Sequence, residues 1–198
     1  MSLSDGNLAE EFGQIDIYLF DQLLKGRVRP TDRVLDAGCG SGRNLLYLMR
    51  MGCRVSAVDT NKDAVDGVRE LAMEQATGLP PENFRVEAVE NLSFNDASFD
   101  VVLSSAVLHF ARDAAHFDAM VNAMWRVLRP GGMLWARLAS VSPHAESPFS
   151  YLTTPDQLEQ LTARLGGQLL DPIKTTLVHH SRSMTTWVVR KASLVKST

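Results

Sequence analysis

The stretch Val34-Leu35-Asp36-Ala37-Gly38-Cys39-Gly40-Ser41-Gly42-Arg43-Asn44 decides the fold of this chain. In it an apolar segment ends in an acid and runs into glycines at every second position, Gly38, Gly40 and Gly42. Glycine has no Cβ, so these positions permit a tight turn and a close approach of the backbone to a ligand. The pattern predicts a buried strand, a ligand-binding loop and the start of a helix.

A second acid follows at the end of the next apolar segment. Asp59 closes the predicted strand 54–59 and lies 21 residues after Gly38. This spacing suits a carboxylate at the tip of the neighbouring strand that binds a ribose diol, and we assign Thr60 and Asn61 to the same site. Asp59 can instead cap the helix that follows it. One adenosine-containing cofactor would satisfy both the loop and the acid.

Composition limits the classes of function. The 198 residues suit one domain, and a formal charge of −3 gives no broad cationic surface for nucleic acid or anionic lipid. Two cysteines, Cys39 and Cys53, cannot build a disulfide framework or a zinc site, so we expect no metal. No 18-residue apolar run occurs, and the first residues lack a basic signal-peptide region. We expect a cytoplasmic protein without membrane contact, either a monomer or a homodimer.

Strands and helices alternate through most of the chain. An N-terminal helical cap (1–29) contains one amphipathic helix from about 8 to 25, and a single domain fills 30–198. Within the domain we predict strands at 33–36, 54–59, 84–89, 99–104 and 133–138, separated by helices. Two further runs, 168–178 and 184–190, are joined too closely for a parallel crossover and must pair antiparallel. The expected fold class is therefore α/β, a doubly wound, mostly parallel seven-stranded sheet with a C-terminal antiparallel hairpin and helices on both faces.

The loop spacing separates two adenosine cofactors. A dinucleotide-binding loop needs glycine at the third position of G-x-G-x-x-G, which here is Arg43, with Gly42 one residue early. S-adenosylmethionine (SAM) has no pyrophosphate, and its amino-acid tail can lie along the loop with its ammonium group near Asp36. A nicotinamide oxidoreductase is disfavoured on this ground.

Four motifs in order resemble those of the class I SAM-dependent methyltransferases, over roughly 30–140 and the terminal hairpin. They are the loop motif 34–42, the ribose-binding acid Asp59, the strand-four motif 98–102 and the helix-to-strand motif 128–132. The resemblance implies SAM as cofactor and S-adenosylhomocysteine as product. Ala88 departs from the family, where an acid after strand three often binds the adenine. Glu87, Glu90 or backbone groups near Val89 can take that role.

The candidate site residues follow from these motifs. The cofactor set comprises Asp36, Ala37, Gly38, Cys39, Gly40, Asn44, Asp59, Thr60, Asn61, Val89, Glu90, Ser104 and Ser105. His109, just past strand four, is a candidate general base, although a histidine there can equally pack in the core. Tyr18, Arg137 and Tyr151 are candidate substrate residues, the last in a loop with His144 and Glu146.

The sequence does not name an acceptor. The N-terminal helix can act as a lid, pack on the sheet or form a dimer contact, and as a lid it would place Asp16, Tyr18 and Asp21 near the site. A chain with no separate recognition domain or basic stripe favours methyl transfer to a small molecule by in-line displacement. The alternative is a non-catalytic SAM-binding or scaffolding protein with the same fold.

Overall fold

A computed structural model describes residues 8–75, 77–141, 148–178 and 182–193. Its centre is one eight-stranded sheet in the order β3-β2-β1-β4-β5-β8-β6, with β7 also paired to β8. The strands are β1 Arg33–Ala37, β2 Arg54–Asp59, β3 Phe84–Val86, β4 Phe99–Ser105, β5 Leu128–Ala139, β6 Gly167–Leu169, β7 Lys174–Val178 and β8 Arg182–Lys191. Strands β1 to β5 are parallel, and β6, β7 and the β5 edge pair antiparallel to β8. The α/β fold class is confirmed.

Helices cover both faces of this sheet. They are α1 Leu8–Phe12, α2 Ile17–Leu24, α3 Leu45–Arg50, α4 Lys62–Glu74, α5 Ala114–Val127 and α6 Pro155–Arg164. One core cluster joins α5 and α6 to sheet residues such as Leu35, Val102 and Trp187. The other joins α2, α3 and α4 to Val34 and Trp135 on the opposite face. Successive strand residues alternate between the two clusters because side chains on a strand alternate between faces.

The single N-terminal helix predicted over 8–25 is wrong. The chain breaks between α1 and α2, where Gly13 takes a positive φ of 63° and Asp16 is extended. The Asp16 carboxylate then caps α2 by accepting a hydrogen bond from the backbone N–H of Tyr18. The cap residue outweighs the apolar periodicity because its side chain satisfies an N–H that the first helical turn leaves without a partner.

Two strand predictions also need correction. The run predicted as one strand over 168–178 divides into β6 and β7, which pair with different halves of β8, so the sheet has eight strands instead of seven. The third strand ends at Val86, because the chain leaves the sheet for a 3₁₀ turn at Val89–Asn91. The domain boundary at residue 29 stays a prediction, although α2 packs on the sheet through the fully buried Leu19.

At the amino ends of the strands, Asp100 binds two arginines. Its carboxylate accepts from the backbone N–H and Nε of Arg33, at 2.8 and 3.0 Å, and from Nε of Arg129. Burial raises the pKa of Asp100, but these hydrogen bonds outweigh it and hold the pKa at about 2. Asp100, the acid of the strand-four motif, therefore links β1, β4 and β5 at the edge of the sheet opposite the glycine loop.

Replacing Asp100 with asparagine is expected to lower the stability of the protein by about 1–2 kcal/mol at pH 7. A carboxyl whose folded pKa is depressed stabilises the fold above its unfolded pKa near 3.8, and this contribution is lost as the pH falls toward 2. Thermal unfolding should show a lower Tm for Asp100→Asn at pH 7 and a smaller difference at pH 3. An equal Tm at pH 7 would contradict this role.

Candidate cofactor site

A cavity of about 590 Å³ opens at the carboxyl ends of β1, β2 and β4. In open parallel sheets ligands bind at this edge, and the volume lies within the range of small-molecule sites. Its lining comprises Asp36, Gly38, Cys39, Gly40, Ser41, Arg43, Asn44, Asp59, Thr60, Glu87, Ala88, Val89, Glu90, Ser105, Ala106, Val107, Phe110, Arg112, His116 and Met120. Most of the predicted cofactor residues thus line this one cavity.

The Asp36 carboxylate is the most unusual group in this wall. It is 1% exposed, and neither oxygen has a hydrogen-bond partner among the described residues. Burial, partly offset by the Arg43 charge and reinforced by Asp59, raises its pKa to about 7. An unpartnered buried carboxylate is costly to the fold, and a cationic ligand would supply its missing partner.

The glycine loop is held by β2. The backbone N–H groups of Gly38 and Cys39 both donate to the Val58 carbonyl, at 2.8 and 2.9 Å. These two N–H groups therefore fix the loop on β2. Gly38 has φ of +88°, and a Cβ there would lie 2.3 Å from Cγ2 of Val107. The position requires glycine both for its conformation and for its packing.

Asp59 lies at the tip of β2, beside this loop. Its Oδ2 accepts from the Gly40 N–H and its Oδ1 from the Asn61 N–H, both at 2.9 Å. The cap of α4 is Asn61, whose side chain accepts from the Asp63 N–H. Helix capping therefore does not account for Asp59. A carboxylate has about four lone-pair sites, so two remain to accept hydroxyl groups.

Asp16 connects the N-terminal segment to Arg43, a residue of the cavity lining. Its fully buried Oδ2 accepts from Arg137 at 2.5 Å and from Arg43 at 3.2 Å. Arg43 also donates to Oγ of Ser105 at 2.9 Å, and Oδ1 of Asn44 accepts from the Asp16 N–H. Asp16 thus pairs with two guanidinium groups, of which that of Arg43 also lies in the lining of the cavity.

The side of the cavity beyond β3 carries the candidates for binding adenine. Glu87 accepts from the Ser93 N–H at 3.0 Å, so its carboxylate is engaged locally. Glu90 has its Oε1 3.0 Å from Nε2 of His116 on α5, and both residues line the cavity beside the buried Val89. Of the alternatives left open at Ala88, Glu90 and the Val89 backbone are therefore the better placed.

Three predicted cofactor residues lie off the cavity wall. Ala37 is the last residue of β1 and packs in the core under α5. Asn61 directs its side chain to the α4 cap. Ser104 is 1% exposed, its Oγ has no hydrogen-bond partner among the described residues, and strand alternation turns it to the face opposite Ser105. The side chains of these three residues do not line the cavity, and their assignment to the cofactor stays a prediction.

His109 also lies off the wall. It is 5% exposed, and its Nδ1 accepts from the Ala139 N–H at 3.0 Å. Burial and the charge of Arg182 lower its pKa to about 4, so the ring is neutral at pH 7. The packing alternative therefore describes His109 better than the general-base role, because the nitrogen lone pair that a base needs is already used.

The three predicted substrate residues are dispersed. Arg137 donates to Asp16 behind the cavity, and its guanidinium lies 4.7 Å from the ring centre of Tyr18. Tyr18 and Asp21 line a separate groove between α2 and β7. Tyr151 packs on Phe117 of α5, 5.2 Å between ring centres, in a third cavity. His144 and Glu146 lie outside the described residues, and α2 packs on the sheet instead of covering the cavity mouth.

Several wall residues had no recognised signal in the sequence. Phe110, Arg112, His116 and Met120 come from the short connection after β4 and the first turns of α5. The Asp113 carboxylate caps α5 by accepting from the His116 N–H, which brings this first turn to the carboxyl edge of the sheet. The sequence signal that could have located these residues is Asp113, a helix-capping residue that follows β4 after only a short connection.

Across the described ranges, no group of three His, Cys, Asp or Glu side chains is arranged to hold a metal ion. None of the helices within those ranges has the length and apolar character needed to cross a membrane.

Comparison with known proteins identifies the family. A family model described as a methyltransferase domain matches residues 35–136, just over half of the chain. The chain belongs to the class I SAM-dependent methyltransferases. This confirms the resemblance that the loop, acid and strand motifs carried, and the matched range begins within β1 and ends within β5.

Individual relatives of this methyltransferase match over part of their length. A ubiquinone biosynthesis O-methyltransferase of Methylocella silvestris is 36% identical over 52% of this chain and 38% of its own. The chain spans between 38% and 50% of the length of such curated relatives. A 1,6-didemethyltoxoflavin-N1-methyltransferase of Burkholderia thailandensis, solved with S-adenosylhomocysteine, has TM-score 0.71 and 21% identity over 94% of this chain and 82% of its own. TehB of Haemophilus influenzae has TM-score 0.72 and 20% identity over 87% and 62%. These two structures support the fold.

Proposed function

We propose that this methyltransferase domain binds SAM in the cavity and transfers its methyl group to a small-molecule acceptor. The observation that carries the proposal is the buried Asp36 carboxylate, which has no hydrogen-bond partner in the described part of the chain and lies beside the glycine loop, one strand from Asp59. A ligand with an ammonium group at one end and a ribose diol at the other satisfies both acids. SAM has both groups, whereas NAD has no ammonium group to place at Asp36.

The residues present fit this cofactor. Asp36 would accept from the ammonium group, and Asp59 from the ribose hydroxyls with its remaining lone pairs. The Arg43 guanidinium and the Asn44 amide, which both line the cavity, suit the carboxylate of the amino-acid tail. Glu90 and the Val89 backbone would contact the adenine. Gly38 allows the loop to pack against Val107 so that the cavity stays open between these groups.

When bound, SAM supplies a methyl group on a positively charged sulfur that is already activated for attack. The protein then has to hold an acceptor atom in line with that methyl group and exclude water. Positioning of this kind can contribute roughly 7–11 kcal/mol, so no catalytic triad is required. Asp36 and Asp59 fix the two ends, and the β4 connection from Ser105 to Phe110 forms the wall nearest the open space.

Thermal shift and turnover test the proposal. SAM and S-adenosylhomocysteine should each raise the Tm of the protein, whereas NAD should not. Incubation with SAM and an acceptor panel should form S-adenosylhomocysteine. Binding of SAM without turnover on any acceptor would favour the non-catalytic SAM-binding alternative, and stabilisation by NAD alone would overturn the assignment.

Asp59→Ala is expected to weaken SAM at least about tenfold, because a charge-assisted hydrogen bond of this kind contributes roughly 1.5–3 kcal/mol. Calorimetric titration measures the change. Asp63→Ala is the matched control, since Asp63 is an exposed acid on the first turn of α4 and does not line the cavity. Equal affinities for Asp59→Ala and wild type would remove the ribose assignment.

A further inference from the structure

The wall of the cavity after β4 presents an aromatic ring to solvent. Phe110 is 65% exposed and lines the same cavity as Asp36. The other strongly exposed large apolar side chains in the described part of the chain are not aromatic, and none of them lines this cavity. The exposed part of the Phe110 ring forgoes the stabilisation that burial would bring, and its place in the lining of a cavity points to a ligand that covers it.

The turn that carries Phe110 is fixed from behind. Leu108 is fully buried, and His109 accepts from the Ala139 N–H through Nδ1. The His109 ring also lies 4.1 Å, centre to centre, from the ring of Phe149. With these two side chains anchored in the core and on β5, the 3₁₀ turn Leu108–Phe110 holds Phe110 toward the cavity.

The ring geometry suits stacking. Phe110 and Phe149 pack nearly perpendicular, at 85° with 5.3 Å between ring centres. The His109 ring also contacts Phe110, 4.7 Å between ring centres and tilted by 47°. Because Phe110 keeps 65% exposure beside both rings, contact surface remains for a planar ring, which prefers an offset-stacked or edge-to-face arrangement.

We propose that the methyl acceptor is a small planar aromatic or heteroaromatic compound that packs against Phe110. The inference rests on the proposed function, since it needs SAM in the cavity. Ser105, Val107 and Phe110 line one continuous space with Asp36 and Asp59, so a ring on Phe110 lies in the same cavity as the cofactor. Phe110 is then a specificity-determining residue.

Ligand-observed NMR saturation transfer with the S-adenosylhomocysteine-saturated protein tests this. The probes are two matched pairs, phenol with cyclohexanol and benzoate with cyclohexanecarboxylate, which share polar groups and differ in the planar ring. The aromatic member of each pair should bind roughly tenfold more tightly than the saturated one, because stacking and ring burial add together. Phe110→Leu should abolish this preference, Phe110→Tyr should retain it, and Ile17→Ala, an exposed apolar residue on α2, should leave it unchanged.

Each other outcome overturns a specific claim. If S-adenosylhomocysteine binds but neither aromatic probe is preferred over its saturated partner, the aromatic acceptor is wrong and the cofactor site stands. If Phe110→Leu weakens S-adenosylhomocysteine tenfold or more while probe preference persists, Phe110 contacts the adenine instead. If S-adenosylhomocysteine does not bind the wild-type protein, the proposed function itself fails.

Discussion

Replacing Asp36 with asparagine is expected to weaken S-adenosylhomocysteine binding at least about 100-fold, the largest loss for any single polar side chain of the site. The carboxylate is buried and has no hydrogen-bond partner within the described ranges, so the ligand ammonium group would supply a strong interaction that those residues do not. Removing one member of a buried, hydrogen-bonded charge pair costs about 2–5 kcal/mol. S-adenosylhomocysteine serves as probe because it keeps the ammonium group and the ribose of SAM.

The raised pKa of Asp36 leads us to expect that S-adenosylhomocysteine binding depends on pH. Burial raises the pKa of Asp36 to about 7, so the unliganded carboxyl is half protonated near neutral pH. A bound cation favours the ionised form, so affinity should rise with pH up to about 7 and then level off. Below pH 7 the affinity should fall by about tenfold per pH unit. Titrations of wild type and Asp36→Asn between pH 5.5 and 8.5 measure this, and the variant should show no such slope.

The stability of Asp36→Asn provides the control for folding. A carboxyl whose folded pKa of about 7 lies above its unfolded value of 3.8 makes the fold progressively less stable as the pH rises from about 3.8 to about 7, because the buried ion costs more to form than the same ion in the unfolded chain. The variant lacks this ion, so its ligand-free Tm at pH 8 should equal or exceed that of wild type. A folded variant that still binds with wild-type affinity would show that Asp36 does not contact the ammonium group.

Gly38→Ala is expected to abolish cofactor binding and to lower the Tm. The glycine has φ of +88°, where a Cβ costs roughly 1–2 kcal/mol, and that Cβ would lie 2.3 Å from Val107. Valine is stiff about χ1, so the loop or the β4 connection has to move. Either movement displaces part of the lining of the cavity in which we propose that the cofactor binds. Thermal unfolding and calorimetric titration with S-adenosylhomocysteine measure the two effects.

Two further variants separate conformation from packing. Gly78→Ala carries a similar positive φ of +65° with open space around the new Cβ, away from the cavity, so it should lower the Tm slightly and leave binding intact. Gly38→Ala/Val107→Ala removes the clash and should recover part of the lost binding. If Gly38→Ala binds as well as Gly78→Ala does, the close approach of the loop to Val107 is unimportant.

The parts of the fold that local residue chemistry dictates were predictable. The strand-loop-helix at Asp36 to Asn44 and the acid at Asp59 are encoded in residues adjacent in sequence, and the apolar runs of β2 and β4 end within a residue of the prediction. The helix break between Gly13 and Asp16 was not predicted, because the apolar periodicity of the sequence continues across it. Asp16 gave no sequence sign of its partners, since Arg43 and Arg137 lie 27 and 121 residues away.

The candidate site was predictable where strand tips supply it and less so elsewhere. Asp36 and Asp59 sit at tips whose position follows from the parallel sheet, and both line the cavity. His109 shows the limit of predicting a site from strand ends. Its position after β4 suggested a general base, but its ring accepts a hydrogen bond from Ala139 on β5 and therefore has a packing role. The same 3₁₀ turn directs the Phe110 side chain to the cavity. The local sequence does not show which of the two residues faces the cavity.

The most direct test of the central claim is a crystal structure of the protein with S-adenosylhomocysteine. We expect the ligand at the carboxyl ends of β1 and β2, with its ammonium nitrogen within hydrogen-bond distance of the Asp36 carboxylate and its ribose hydroxyls on Asp59. Density for the ligand at another place, or a ligand in this cavity whose ammonium group lies away from Asp36, would contradict it.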